Sequence, residues 1–416
     1  MSFRSLPRIL DLLRCHVGLD LNWTPHFTSV INWTLRLGLG LLRQVAPVDE
    51  PWLAIVDHSI DIGTKKALVV LRVSTKALSA RGGALCLEDC ACVGLKISEQ
   101  INGETVAADL QAIFAQAGHP IAIAKDGDAT LQKGVRLWQD KQNKTVPVIY
   151  DIGHAAANVL KEEFESKGPY QRFIAFTSRA ANCLRQTDLA FLIPPKLRSK
   201  GRFQSIGALG RWAAKILEAL SVKDGIQPLT REKLREVLPG FIALRGFVQR
   251  FASITHTVAR MLEILKSQGL NQANYEQCAQ LLASLPKNSR VRKRLHLWLQ
   301  QHLEIQKQLT AKGHPDLPLI VSSDIIECLF GKFKHILARS PQADMNRSTL
   351  LIPALCGRLD KVVIEQTLAQ TRHDDLEIWE RANIPYTVRK KRRAFFANSN
   401  NIQSQIPGIQ SRASAG

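Results

Sequence analysis

Between residues 51 and 165 the apolar residues change their period, and that change restricts the chain to one class of fold. WLAIVD (52–57), KKALVVLRVS (65–74) and ALCLEDCACVGLKIS (84–98) are dense in Val, Leu and Ile and read as three successive strands. In NGETVAADLQAIFAQAG (102–118), Val106, Leu110, Ile113 and Phe114 share one helical face, with Asn102 suited to cap the start and Gly118 the end. PIAIAKD (120–126) then reads as a strand, 129–142 as a helix, TVPVIYD (145–151) as a strand and 154–165 as a helix. This order predicts an α/β fold. Its mixed five-stranded sheet is antiparallel at first, then wound by crossovers, with helices on its faces.

The rest of the chain reads differently. With 416 residues, more than one domain is expected. Residues 1–48 form an N-terminal helical segment, either a DNA-binding helix-turn-helix or a plain helical bundle. Residues 49–165 hold the first part of the sheet domain, and 166–318 a large all-helical insertion with long helices near 241–267 and 290–309. Residues 319–385 return to the core, and 386–416 form a basic, polar tail with no core-forming pattern, expected to be disordered.

No membrane role is expected. The apolar stretch at 35–45 is interrupted by Arg36 and Arg43, and the N-terminus has no apolar leader. Eight scattered cysteines indicate a reducing, cytoplasmic setting. Cys86, Cys90 and Cys92 read as buried strand thiols rather than a zinc site. No glycine-rich phosphate loop occurs, and no small-molecule substrate is expected.

Charge narrows the partner. Lys plus Arg number 56 against 36 Asp plus Glu, a net charge of +20, which points to a polyanion and above all to nucleic acid. Within this basic chain, three acids stand out. Asp57 closes the first strand and Asp126 the fourth; neighbouring first and fourth strands would bring them together at a sheet edge where ligands collect. Asp61 and Asp128 compete with them, although Asp128 is better read as the cap of the helix starting at Ala129. In SSDIIECLFGKFK (322–334), Glu327, Gly331 and Lys334 form one polar or small stripe on an otherwise apolar helix. A mid-helix glycine costs about 1 kcal/mol relative to alanine, so a bare surface stripe rarely contains one. Asp324 and Glu327 also fit a capping box, and at this point both readings of Glu327 stand. Three carboxylates in one site suit Mg²⁺ or Mn²⁺, as one ion or a pair, and phosphodiester cleavage.

With these residues in place, the chain resembles the DDE transposases of bacterial insertion sequences, which have a ribonuclease-H-like catalytic core. That family carries its first Asp at the end of the first strand, its second at the end of the fourth and its Glu on a later helix, matching Asp57, Asp126 and Glu327. One large group of these elements places a Lys after six intervening residues, as Lys334 stands here; the Tyr and Arg preceding the Glu in that group are Ile320 and Ser323 here. YDIGHAAANVLK (150–161) is similar to a segment after the fifth strand in several groups, which makes Asp151 and His154 additional candidates, against a capping Asp and a solvated His.

The resemblance implies a metal-dependent endonuclease that frees a 3′-hydroxyl at a transposon end and joins it to target DNA. Asp57, Asp126 and Glu327 would hold two Mg²⁺ or Mn²⁺ ions, and Lys334 would meet a phosphate. The implied partners are double-stranded terminal repeats and target DNA, with assembly as a homodimer or larger near the bacterial nucleoid. Lys332, Lys196, Arg198, Lys200, Arg202, Arg290, Arg292, Lys293 and Arg294 are expected to share DNA binding with Lys334. The alternatives are a ribonuclease-H-like nuclease or resolvase that cuts without joining, and an inactive transposase-derived DNA-binding protein.

Overall fold

β1 (Trp52–Ile62) lies at the centre of one five-stranded sheet. It pairs antiparallel with β2 (Lys65–Ser74), which pairs antiparallel with β3 (Cys90–Ser98). On its other side β1 pairs parallel with β4 (Ala122–Lys125), and β4 pairs parallel with β5 (Val148–Tyr150). The order β3-β2-β1-β4-β5, with helices on both faces, is that of a ribonuclease-H-like sheet. The computed structural model describes residues 3–62, 65–143, 145–197, 201, 203–221, 228–314, 317–337 and 345–397, without the side chains of 59–62, 228–230, 337, 388, 389 and 397.

Both faces of β1 are buried, as its run of apolar residues requires. Leu53 and Ile55 enter one core with Val69, Leu71, Ile326 and Phe333. Trp52, Ala54 and Val56 enter the other with Val106, Leu110, Phe114 and Trp138. Burying each large apolar side chain stabilises by about 1.5–3 kcal/mol. Exposed ion pairs contribute under about 1 kcal/mol, so packing holds the scaffold.

Four strands have other boundaries than expected, and β4 spans only Ala122–Lys125, so Asp126 follows it rather than closing it. β1 continues past Asp57 to Ile62, because β2 keeps pairing with it after the apolar run ends. The third strand begins only at Cys90: Asp89 turns back to accept the Cys86 N–H at 2.9 Å, which makes the preceding residues a turn. β5 is shorter than predicted and begins after Pro147. The helix Gly103–Ala117 has Asn102 as its N-cap and Gly118 after its end, as expected, and Asp128 caps Ala129–Gln142.

Beyond the sheet the chain is largely helical. Helices Gly168–Arg185, Ile206–Ser221, Pro228–Val237, Arg245–Gln268, Gln272–Ala283 and Arg290–Ala311 come before Asp324–Leu337. Near the N-terminus, helix Phe27–Arg43 is tied to the C-terminal part: Arg36 Nε donates to the Thr371 carbonyl at 2.6 Å. Gly38 lets it approach closely, because a Cβ there would strike the Leu350 carbonyl. Helix Leu6–Val17 buries none of its residues. Cys90 and Cys92 are buried strand thiols, as read from the sequence, whereas Cys86 is only partly buried and stands before the turn that precedes β3. Among the described residues no helix is long and apolar enough to cross a membrane. Within the 386–416 tail expected to be disordered, Val388–Ala397 forms a helix, and 398–416 lie outside the described residues.

Candidate active site

The parallel ladder between β1 and β4 places the first two acids. Its last pair is Val56 with Lys125, so one further step in the same register sets Asp57 beside Asp126. Asp57 remains inside β1, opposite Val69 of β2, whereas Asp126 is the first residue beyond β4. Asp57 Oδ1 accepts the His58 N–H at 2.7 Å, and Asp126 Oδ1 accepts the Asp128 N–H at 2.9 Å. Asp128 itself is occupied as a cap, accepting from Thr130 N and Leu131 N at 2.8 and 3.0 Å. The side chain of Asp61 lies outside the described residues.

Asp57 is under the influence of both other acids. Its carboxyl is pushed up from 3.8 to about 8, first by burial, then by the charge of Asp126, and further by Glu327. The His58 N–H and the His154 charge pull the other way and are outweighed. An acid in this position holds its proton near neutrality unless a cation balances its neighbours.

Glu327 arrives on helix Asp324–Leu337, which buries Ile325, Ile326, Leu329, Phe330 and Phe333 and exposes Glu327, Gly331 and Lys334. The capping box does not form. Asp324 is inside the helix, and its two oxygens take Lys266 Nζ at 2.8 and 2.6 Å. Glu327 Oε1 instead meets His154 Nε2 at 3.1 Å. That contact is the main reason the imidazole is raised from 6.5 to about 9. Gln204 lies 3.1 Å from the same nitrogen. A Cβ at Gly331 would meet nothing within 4 Å, so no packing within the described chain requires glycine there.

Asp151 is buried and fully engaged. Oδ2 accepts Ser323 N at 2.6 Å and Ser323 Oγ at 2.9 Å, and Oδ1 accepts His154 N at 2.7 Å. It therefore caps Ile152–Phe164 and at the same time fixes the residue before the Glu327 helix. His154 is one of the two additional candidates that reaches Glu327; Asp151 acts on that helix from behind.

Asp57, Asp126 and Glu327 are all hard oxygen donors, and the charges of the last two raise the proton affinity of Asp57; such a set fits a divalent cation. Among the described residues, no three His, Cys, Asp or Glu side chains already stand as a metal-holding group. What these three share is their electrostatic field.

The basic candidates divide into groups. Lys332 and Lys334 are exposed on the Glu327 helix, and Lys196 is exposed. Arg290 and Lys293 are exposed at the start of Arg290–Ala311. Arg292 is instead turned to the carbonyls of Ala283 and Leu285 at 3.3 and 3.0 Å, and Arg294 pairs with Glu162. Arg198, Lys200 and Arg202 lie outside the described residues.

Sequence reasoning missed Lys266, Gln204 and Lys125. Nothing local signals the first two, whose partners are distant in the chain. Lys125 did carry a signal: a charged residue inside AIAK, the apolar run of an inner strand.

No protein-family model matches the chain, and neither does any curated protein. Among solved structures it is similar to a chain of a Drosophila P element transposase strand transfer complex. The two are 12% identical over 87% of this chain and 93% of that one, with a TM-score of 0.44. A likeness of that degree says nothing about chemistry.

Proposed function

We propose that this chain is a metal-dependent DNA strand-cutting and strand-joining enzyme, a transposase with Asp57, Asp126 and Glu327 as its acids. The observation that supports the reading is the parallel β1–β4 ladder, which ends one residue before Asp57 and Asp126, with the charges of Asp126 and Glu327 both acting on Asp57. The net charge of +20 around this acidic centre supports DNA as the substrate, held through its phosphates.

Asp57, Asp126 and Glu327 would hold one or two Mg²⁺ or Mn²⁺ ions. Such ions, when bound, polarise a phosphodiester and make an attacking oxygen more nucleophilic. The chain's own residues do the rest. His154 holds the Glu327 carboxylate, and Lys334, two turns along the exposed stripe, offers an ammonium to a backbone phosphate. Gly331 leaves the space between them open to that backbone. In the first reaction water attacks phosphorus at the element's end; the bond to the 3′ oxygen breaks, leaving a 3′-hydroxyl and a 5′-phosphate. In the second, that hydroxyl attacks a target phosphodiester and displaces a 3′-hydroxyl from the target strand.

The test uses duplexes carrying the DNA that flanks this coding sequence, mixed with plasmid and Mn²⁺. Nicked and joined products are expected from the wild type, and neither from Glu327→Gln. Nicks without joints would favour the resolvase-like alternative. Strong, salt-sensitive binding with no cleavage would favour the DNA-binding one.

A further inference from the structure

Lys125 is the last residue of β4, and it is 1% exposed. A buried ammonium persists only where other groups answer its charge. Here Nζ donates to the main-chain carbonyl of Asp126 at 2.9 Å and lies 4.7 Å from the centre of the Tyr150 ring. Tyr150 is the register partner of Lys125 across β4 and β5.

Tyr150 is in turn held from the helical part of the chain. Its N–H donates to His302 Nε2 at 3.1 Å. His302 is buried in helix Arg290–Ala311, stacks on Trp298 with ring centres 3.8 Å apart, and places Nδ1 2.8 Å from the Trp298 carbonyl. Since Nε2 accepts, Nδ1 carries the hydrogen and donates it to that carbonyl. Imidazole, tyrosine ring and ammonium form one continuous path from an outlying helix to the peptide of Asp126.

We propose that Lys125 is a positioning residue for Asp126, fixing the peptide that carries this carboxylate, and that Tyr150 and His302 hold Lys125 in place. The proposal rests on reading Asp126 as a cation ligand. Asp151 N–H still bonds the Lys125 carbonyl at 3.0 Å, but the Asp126 carbonyl in the next peptide lies beyond the last registered pair of β4. The Lys125 bond falls on that peptide.

The experiment measures Mn²⁺ affinity of the full chain from the free-ion electron paramagnetic resonance signal, together with plasmid nicking across a Mn²⁺ series. Lys125→Met keeps the apolar stem and removes the ammonium. It is expected to raise both the Mn²⁺ dissociation constant and the Mn²⁺ needed for half-maximal nicking by about tenfold, as loss of a ligand-orienting partner does. Its DNA affinity should not move. Tyr150→Leu is expected to shift both metal readings the same way by a smaller factor. Folded Lys125→Met with wild-type Mn²⁺ affinity, while Asp126→Asn loses it, overturns the proposal and leaves the acid assignment standing. If Lys125→Met does not fold, Tyr150→Leu decides, and unchanged Mn²⁺ affinity in that variant overturns the proposal. Unchanged Mn²⁺ affinity in Asp126→Asn removes the ligand reading itself, and the proposal with it.

Discussion

Asp57 is positioned within a strand ladder and Asp126 directly after one, whereas Glu327 is on a helix outside the sheet that relies on side-chain contacts. β1 carries Asp57, and the parallel β1–β4 ladder ends one residue before Asp126. The third is on a helix that packs its apolar face on the core and is oriented by three side-chain contacts: Asp151 with Ser323, Lys266 with Asp324, and His154 with Glu327. A ladder tolerates the loss of any one side chain, because its bonds are made by the backbone. A tethered helix does not, and each of its contacts can be removed singly. The two halves of the site should therefore respond differently to substitution.

The largest expected effect comes from the ladder half. Asp57→Asn and Asp126→Asn should each lower nicking by at least about 100-fold, since loss of a mere outer partner of a metal ligand costs about 10–100-fold. Neither should lower the urea midpoint, because the strands keep their bonds. A large loss of stability in either variant would break the contrast.

The tethered half should lose stability instead. Asp151→Ala leaves the Ser323 N–H, the Ser323 hydroxyl and the His154 N–H without their acceptor. Urea unfolding should report a loss of about 1–3 kcal/mol, the usual cost of leaving buried donors unsatisfied. Wild-type stability in this variant would mean that Asp151 does not hold the Glu327 helix.

Acidity provides a third, subtler comparison. Asp57 is raised to about 8 and His154 to about 9, so the folded chain keeps protons that the unfolded chain releases at lower pH. Stability in EDTA should fall as pH rises, from about 4 to 8 through Asp57 and from about 6.5 to 9 through His154. Urea midpoints across this range test the sign, and Asp57→Asn should flatten the lower part of the curve. A midpoint that rises with pH would contradict both assignments.

The smallest effect is expected at Lys266→Met. The Lys266–Asp324 pair is partly exposed, with side chains 33% and 51% accessible, and should contribute under about 1 kcal/mol. Nicking should fall only a few-fold in a direct assay. A loss as large as that of Asp126→Asn would show that this one tether governs the helix.

This contrast also explains what the sequence revealed. The sheet order was legible because apolar runs and their spacing encode strands and helices locally, and the pairing of the first and fourth strands follows from the crossover rule. The end of β1 was misjudged for a physical reason: the apolar run stops at Val56, but a hairpin partner keeps the polar residues after it in extended pairing. Glu327 could be picked out by its stripe, yet its surroundings could not. His154 is 173 residues away along the chain, and Ser323 is 172 residues from Asp151. Contacts at that range leave no periodic trace. Lys125 is the intermediate case: its burial could be inferred from one strand, but its partners could not.

The Asp151–Ser323 contact has a further consequence. Together with the bond from Ile152 N to the Val321 carbonyl at 2.8 Å, it works as a clasp that returns a detour of more than 150 residues to its starting point. Once the ends of such a loop are joined, each doubling of its length adds only about 0.6 kcal/mol of closure entropy. The detour is therefore free to grow, shrink or exchange its helices over evolutionary time, provided the clasp survives and the acid helix leaves it at the same angle.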